Sequence, residues 1–213
     1  MKKIAMGLVF FIMAASCGDS VPSYDKSLNG NPLEFLEKGD LALTENDANG
    51  SGKFVFSNPL SGDHSFEFLV HLEDNSSSVT VVTNADNKLE KGLSIIFFRE
   101  EEELKVTVKL GTDEHHIDEK FNSLKDSDPL YASKPHSFVI DVHAEDPAHV
   151  LIWKKQDSYT IDNVLFNSEE KESGQIKKYP MGSKVTGKFW GFDLTKSKIS
   201  NPKVDKPKHS HHH

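Results

Sequence analysis

The sequence predicts an all-β chain folded as an antiparallel two-sheet sandwich. Three observations carry that prediction. From Phe35 onward, short β-branched and aromatic runs dominate, separated by clusters of Gly, Pro, Asn, Asp and Ser. Within the runs, apolar and polar residues alternate with a period of two. Only two short stretches, Glu34–Lys38 and Val164–Glu172, read as helical. Many strands spaced by turns, with almost no helix, leave the sandwich as the architecture that buries one face of each sheet.

The strands follow in order. The runs are Lys53–Ser57, Ser65–Leu72, Ser78–Thr83, Leu93–Arg99, Leu104–Leu110, His115–Ile117, His136–His143, His149–Lys154 and Val185–Asp193. Turn signals between them include Asn49-Gly50, Ser61-Gly62-Asp63, Glu73-Asp74-Asn75, Gly111-Thr112-Asp113 and Glu145-Asp146-Pro147. The acidic segment Glu100–Glu103 joins two strong strands and reads as a hairpin tip, where four like charges stay solvated.

Alternation assigns the faces. Phe66, Phe68, Val70 and Leu72 share one face, and Glu67, Leu69 and His71 the other. Phe138, Ile140 and Val142 point inward, with Asp141 and His143 outward. Leu104–Leu110 places Lys105 and Lys109 on the wet side. Gly92–Phe98 is apolar on both faces and belongs in a central position or beneath a loop. Trp153 alternates with Leu151 and His149, opposite Val150 and Ile152, and is read as core, as is Trp190. No internal repeat or second composition zone appears, so one domain from 35 to 204 is expected.

Composition excludes several function classes. The chain has 213 residues and a formal net charge of −8, with 25 basic residues of which only Arg99 is arginine. An acidic balance disfavours general nucleic-acid binding, which needs a basic surface to displace counterions. A single arginine disfavours phosphate clamps built from several bidentate forks. One cysteine excludes an internal disulfide framework and a four-cysteine zinc site.

That cysteine has a specific context. Met1-Lys2-Lys3 supplies two charges, and an apolar run from Ile4 to Ala15 follows, about half the length a bilayer-spanning helix needs. The run ends in Ala14-Ala15-Ser16-Cys17. This resembles the lipobox of bacterial lipoproteins, with Ala14 where that family more often has leucine. The resemblance implies cleavage of residues 1–16 and lipidation of Cys17, giving a membrane-anchored cell-envelope protein. Several acyl chains, at roughly 0.8 kcal/mol per CH₂, would make that attachment effectively permanent. Loss of Lys2 and Lys3 takes the net charge from −8 to −10. Gly18, and not an aspartate, follows Cys17, which by the enterobacterial sorting pattern implies the outer membrane. Residues 17–34 read as lipidated cysteine and flexible tether, and residues 205–213 as a His-rich tail.

The strand sequences also carry a resemblance. Ser65-Phe66-Glu67-Phe68, Gly92-Leu93-Ser94-Ile95-Ile96-Phe97, His136–Val142 and Gly187-Lys188-Phe189-Trp190-Gly191-Phe192 are similar to concanavalin A-like, laminin G-like jelly rolls. In that superfamily a sheet of core strands typically pairs with a concave sheet used for sugars. Its polysaccharide-cutting members carry acids on alternate residues of one strand, so that two carboxylates reach one glycosidic bond. No such strand occurs here, and the arginine-rich strands of related alginate lyases are absent. Gly-x-Ser-x-Gly, His-Glu-x-x-His and phosphate-loop motifs are absent as well.

Binding is therefore the expected role, with no catalytic residue assigned. The candidate ligand-binding residues are Tyr159 and Tyr179 in polar loops and Trp153, because flat rings stack on sugar CH faces, and the same-face pair Asp141 and His143, which could act as an acid–base couple or as metal ligands. His115 and His116 are sequence neighbours that a strand would turn to opposite faces. His209, His211, His212 and His213 could bind Zn²⁺ weakly and without selectivity. Asp126-Ser127-Asp128 is a candidate for weak Ca²⁺ binding, as the laminin G-like resemblance implies. The expected function is non-catalytic recognition of a glycan or partner protein at the cell envelope. The alternatives are a divergent glycoside hydrolase or polysaccharide lyase, or metal handling through the tail.

Overall fold

The computed structural model describes residues 26–60, 63–101, 103–111, 119–121, 135–143, 149–155, 164–167, 171–172, 175–176 and 187–205. Its strands are β1 (Ser27–Leu28), β2 (Asn31–Glu37), β3 (Ala42–Leu43), β4 (Asp47–Phe56), β5 (His64–Leu72), β6 (Ser78–Ala85), β7 (Gly92–Glu100) and β8 (Glu103–Gly111). They continue as β9 (Glu119–Phe121), β10 (His136–His143), β11 (His149–Lys154), β12 (Val164–Asn167), β13 (Lys171–Glu172), β14 (Gln175–Ile176) and β15 (Phe189–Asp205). All fifteen strand elements pair antiparallel.

Two long strands turn this network into a sandwich. The first half of β15 pairs with β6 and its second half with β5, while β4 follows it on the other side. Register shifts between Leu194 and Ser197, where Lys196 takes a positive φ of 42°, so the strand bends there and passes from one layer to the other. One layer runs β12-β11-β10-β5-β15-β4-β3, and the other β9-β8-β7-β6-β15-β4-β2. Sharing β15 and β4 at the corner joins two sheets without leaving a free edge there.

The core lies between the layers and is aromatic. Phe68 of β5 meets Phe97 of β7 edge to face at 5.6 Å, and Phe97 meets Phe138 of β10 at 4.6 Å. Trp190 stacks on Phe56 at 3.9 Å and tilts against Phe66 at 5.1 Å. The alternation read from sequence holds here: Phe66, Phe68, Val70, Leu72, Phe138, Ile140 and Val142 are all in this cluster. β7 is central, between β6 and β8, as its two-sided apolarity implies. Glu100 and Glu103 close the β7–β8 hairpin around Glu101, whose φ is +57°.

Several expectations are corrected. Glu34–Glu37 is strand and not helix, because its carbonyls and amides complete the ladder of β4. Val164–Asn167 is strand for the same reason, pairing with β11. Strands β1 and β2 belong to the sandwich ahead of Phe35, with Leu28 and Leu33 buried in the core. Leu151 faces away from the main core and forms a small cluster with Val139, whereas Val150 and Ile152 enter the core. The register sets Trp153 of β11 opposite Val139 of β10.

A further apolar cluster sits on the outer side of the other layer. Val55, Val82, Ala85 and Leu89 pack there, with Leu36 and Phe189 against them. Gly191 makes this approach of strands possible: a Cβ at that position would stand 2.1 Å from the Phe54 carbonyl oxygen.

Candidate ligand-binding face

The outer face of the β5–β10–β11 layer carries the polar alternates of its strands. Cross-strand register sets Glu67 opposite Val139, Ser65 opposite Asp141, and Leu69 opposite Ser137. On the next strand Val139 is opposite Trp153, Asp141 opposite Leu151 and His143 opposite His149. From β15 come Lys203 opposite Glu67, Asp205 opposite Ser65 and Lys198 opposite His71. Because side chains alternate along each strand, these residues share one surface.

The face divides by exposure. Ser65, Val139, Asp141 and Leu151 are buried. Glu67, Leu69, His71, Ser137 and Lys198 are half-buried, and Lys155 and Lys203 are exposed. The reachable strip is thus polar with one leucine, the mixture that takes sugar hydroxyls and a CH edge together.

Polar contacts fix these groups. Lys155 Nζ donates to Glu67 Oε1 across the width of β10. The backbone places that lysine, because the Lys155 amide donates to the Ser137 carbonyl at 2.7 Å. His143 Nδ1 stands 3.5 Å from Asp63 Oδ2. At the β15–β4 edge Lys198 Nζ is 2.9 Å from Asp47 Oδ2. Hydrogen bonds from Ser200 and Lys198, with the Lys198 charge, hold the Asp47 carboxyl below the usual aspartate range.

The expected site residues fall as follows. Asp141 and His143 share a face, as alternation requires, but Asp141 is fully buried and does not point to solvent. The correction arises because the polar face of β10 is itself covered at Val139 and Asp141, which period-two patterning cannot reveal. Trp153 occupies a position in the same row as Glu67 and Val139. Cys17, His115, His116, Asp126, Asp128, Tyr159, Tyr179, His209, His211, His212 and His213 lie outside the described residues. Glu67 and Lys155 are the residues that sequence reading did not single out. Their only local signal was an acid on the outward set of β5, and their pairing is a register property. Among the described residues no group of three or more His, Cys, Asp or Glu could hold a metal ion, and no helix is long and apolar enough to cross a membrane.

Comparison with known proteins places this geometry in a fold. No protein-family model matches the chain, and no curated protein matches it. Among solved structures, the carbohydrate-binding module CBM66 from Bacillus subtilis superposes with a TM-score of 0.54 at 10% identity, covering 84% of this chain and 99% of that one. The carbohydrate recognition domain of Emp47p gives 0.51 at 10% identity, covering 86% and 92%. A mutant of the GH43 protein BlXynB from Bacillus licheniformis gives 0.52 at 9% identity, but the match covers only 38% of that protein. At these identities the likeness establishes the fold: an all-β jelly-roll sandwich of the concanavalin A-like type.

Proposed function

We propose that this chain is a lipid-anchored cell-envelope protein whose sandwich binds glycan without catalysis. The observation that carries the reading is coverage. Two carbohydrate-binding domains are matched over nearly their whole length, whereas the glycoside hydrolase-family protein is matched over a minority of its chain. The outer strip around Glu67, Leu69, Ser137 and Lys155 supplies acceptors, donors and an apolar edge for sugar. A hydrolytic role would need two carboxyl groups reaching one bond. Asp141 is buried and Glu67 is engaged by Lys155, which favours binding over bond cleavage. The Ala14-Ala15-Ser16-Cys17 sequence supports a lipid anchor on Cys17, and Gly18 supports the outer membrane as its destination.

The test is a glycan array probed with the soluble domain, followed by titration of the strongest ligand into Glu67→Gln and Lys155→Ala. Binding that falls about tenfold in both variants, as loss of a charge-assisted contact implies, supports the reading. A domain that retains no glycan, or that releases cleaved product, overturns it. Metabolic labelling with palmitate, abolished in Cys17→Ala, tests the anchor separately.

A further inference from the structure

At the β1–β3 end of the sandwich lies a cleft of 510 Å³, lined by Lys26, Ser27, Phe35, Lys38, Leu41, Leu43, Thr44 and Glu45. That is within the range of small-molecule clefts. Its floor is apolar and anchored: Leu41 is buried in the main core, and Phe35 and Leu43 pack against it half-exposed. Its rim is polar and exposed, with two ammonium groups, one carboxylate and two hydroxyls. Lys26 Nζ stands 4.2 Å from the centre of the Phe35 ring.

The rim is held in place by backbone. The Leu33 amide donates to the Lys26 carbonyl at 3.0 Å, and the Asn29 amide to the Glu45 carbonyl at 2.7 Å. The Leu41 amide donates to the Lys38 carbonyl at 3.0 Å, in a turn where Gly39 takes a φ of +49°. Thr44 and Asp47 exchange hydrogen bonds in both directions, amide to hydroxyl at 3.0 Å and amide to carbonyl at 2.9 Å. A cleft whose walls are fixed before binding does not lose ordering entropy to form it.

We propose that this cleft is a binding site for an acidic sugar residue, a uronate unit of a glycan. The chemistry divides between the two surfaces. Lys26, seated over the Phe35 ring, and Lys38 face a carboxylate, Leu43 faces the CH side of a pyranose, and Ser27, Thr44 and Glu45 take its hydroxyls. A bare inorganic anion would leave the apolar floor unused, and a neutral sugar would offer the two ammonium groups no anionic partner. The inference rests on the glycan-binding reading and assigns it a charge class. In a chain of net charge −8, attraction of an acidic polymer requires a local cationic site of this kind.

The experiment is isothermal titration of the full chain with trigalacturonate, maltotriose and inorganic phosphate, in the unmodified protein, Lys26→Gln, Lys38→Gln and Phe35→Ala. All four proteins are checked for unchanged thermal unfolding, and the two lysine variants remove only exposed side-chain charge. The expected result is trigalacturonate bound at least about tenfold more tightly than maltotriose, with each lysine variant losing about tenfold. Affinity should also fall between 0.05 and 0.5 M salt, as screening of exposed charges requires. The proposal is overturned by equal affinity for the two sugars, by affinity unchanged in both lysine variants, or by phosphate binding as well as trigalacturonate. It is likewise overturned if trigalacturonate does not bind. Neutral glycan binding that is lost in Glu67→Gln, with none of these lysine effects, would remove this site and leave the broader reading standing.

Discussion

Glu67 of β5 and Asp141 of β10 are diagonal neighbours on one face, since Glu67 is opposite Val139 and Asp141 opposite Ser65. Their environments separate them. Glu67 keeps a partly exposed carboxylate paired with Lys155, and Asp141 is wholly buried. Asp141→Asn should therefore cost about 1–3 kcal/mol in urea unfolding, the range for disturbing a buried polar group. It should change glycan affinity less than twofold. Glu67→Gln should do the reverse, with a stability change under about 1 kcal/mol for a half-exposed pair and a clear loss of affinity.

Trp190 is predicted to be the single most costly aromatic to remove. It stacks on Phe56 and touches Phe66, and so links the two layers at one point. Trp190→Ala should destabilise the domain by about 3–5 kcal/mol. Chemical denaturation followed by circular dichroism would measure it. A cost under 1 kcal/mol would show that the layers are held together elsewhere.

Gly191 should tolerate no side chain. A Cβ there would meet the Phe54 carbonyl oxygen at 2.1 Å, the Leu89 Cδ1 at 2.7 Å and the Val55 Cα at 2.9 Å. Two of the three are backbone atoms, which cannot rotate away. Gly191→Ala should lower stability by at least about 2 kcal/mol through overpacking, visible as a fall in melting temperature.

The Asp47–Lys198 pair predicts an acid-side effect. Its carboxyl has a lowered pKa in the fold, so it contributes stability at pH values above the unfolded aspartate pKa. That contribution is lost as pH falls below about 4 and through the folded value. Asp47→Asn should be less stable than the unmodified protein at pH 7, and the difference should shrink towards pH 2. Urea midpoints across that range would check it. A difference that grows on acidification would contradict the assignment.

Much of the fold was legible because strands write their burial into alternate residues. Phe66, Phe68 and Phe138 announced their face, and Glu100–Glu103 announced its hairpin. Glu34–Lys38 misled because Phe35-Leu36 between glutamates fits a helical turn as well as a strand, and only pairing with β4 decides. Leu151 lies in a small cluster with Val139, apart from the main core; an apolar residue on a short strand does not say which of two buried sides it faces.

By itself the sequence determined the all-β class, most strand positions and the aromatic core of the central strands. Those are local properties, carried by composition and a period of two. The tertiary structure decided where β15 bends between layers, that Asp141 is buried beside Glu67, and that Lys26, Phe35 and Lys38 line one cleft. These depend on register and on contacts between residues distant in the chain, for which alternation along a strand carries no information.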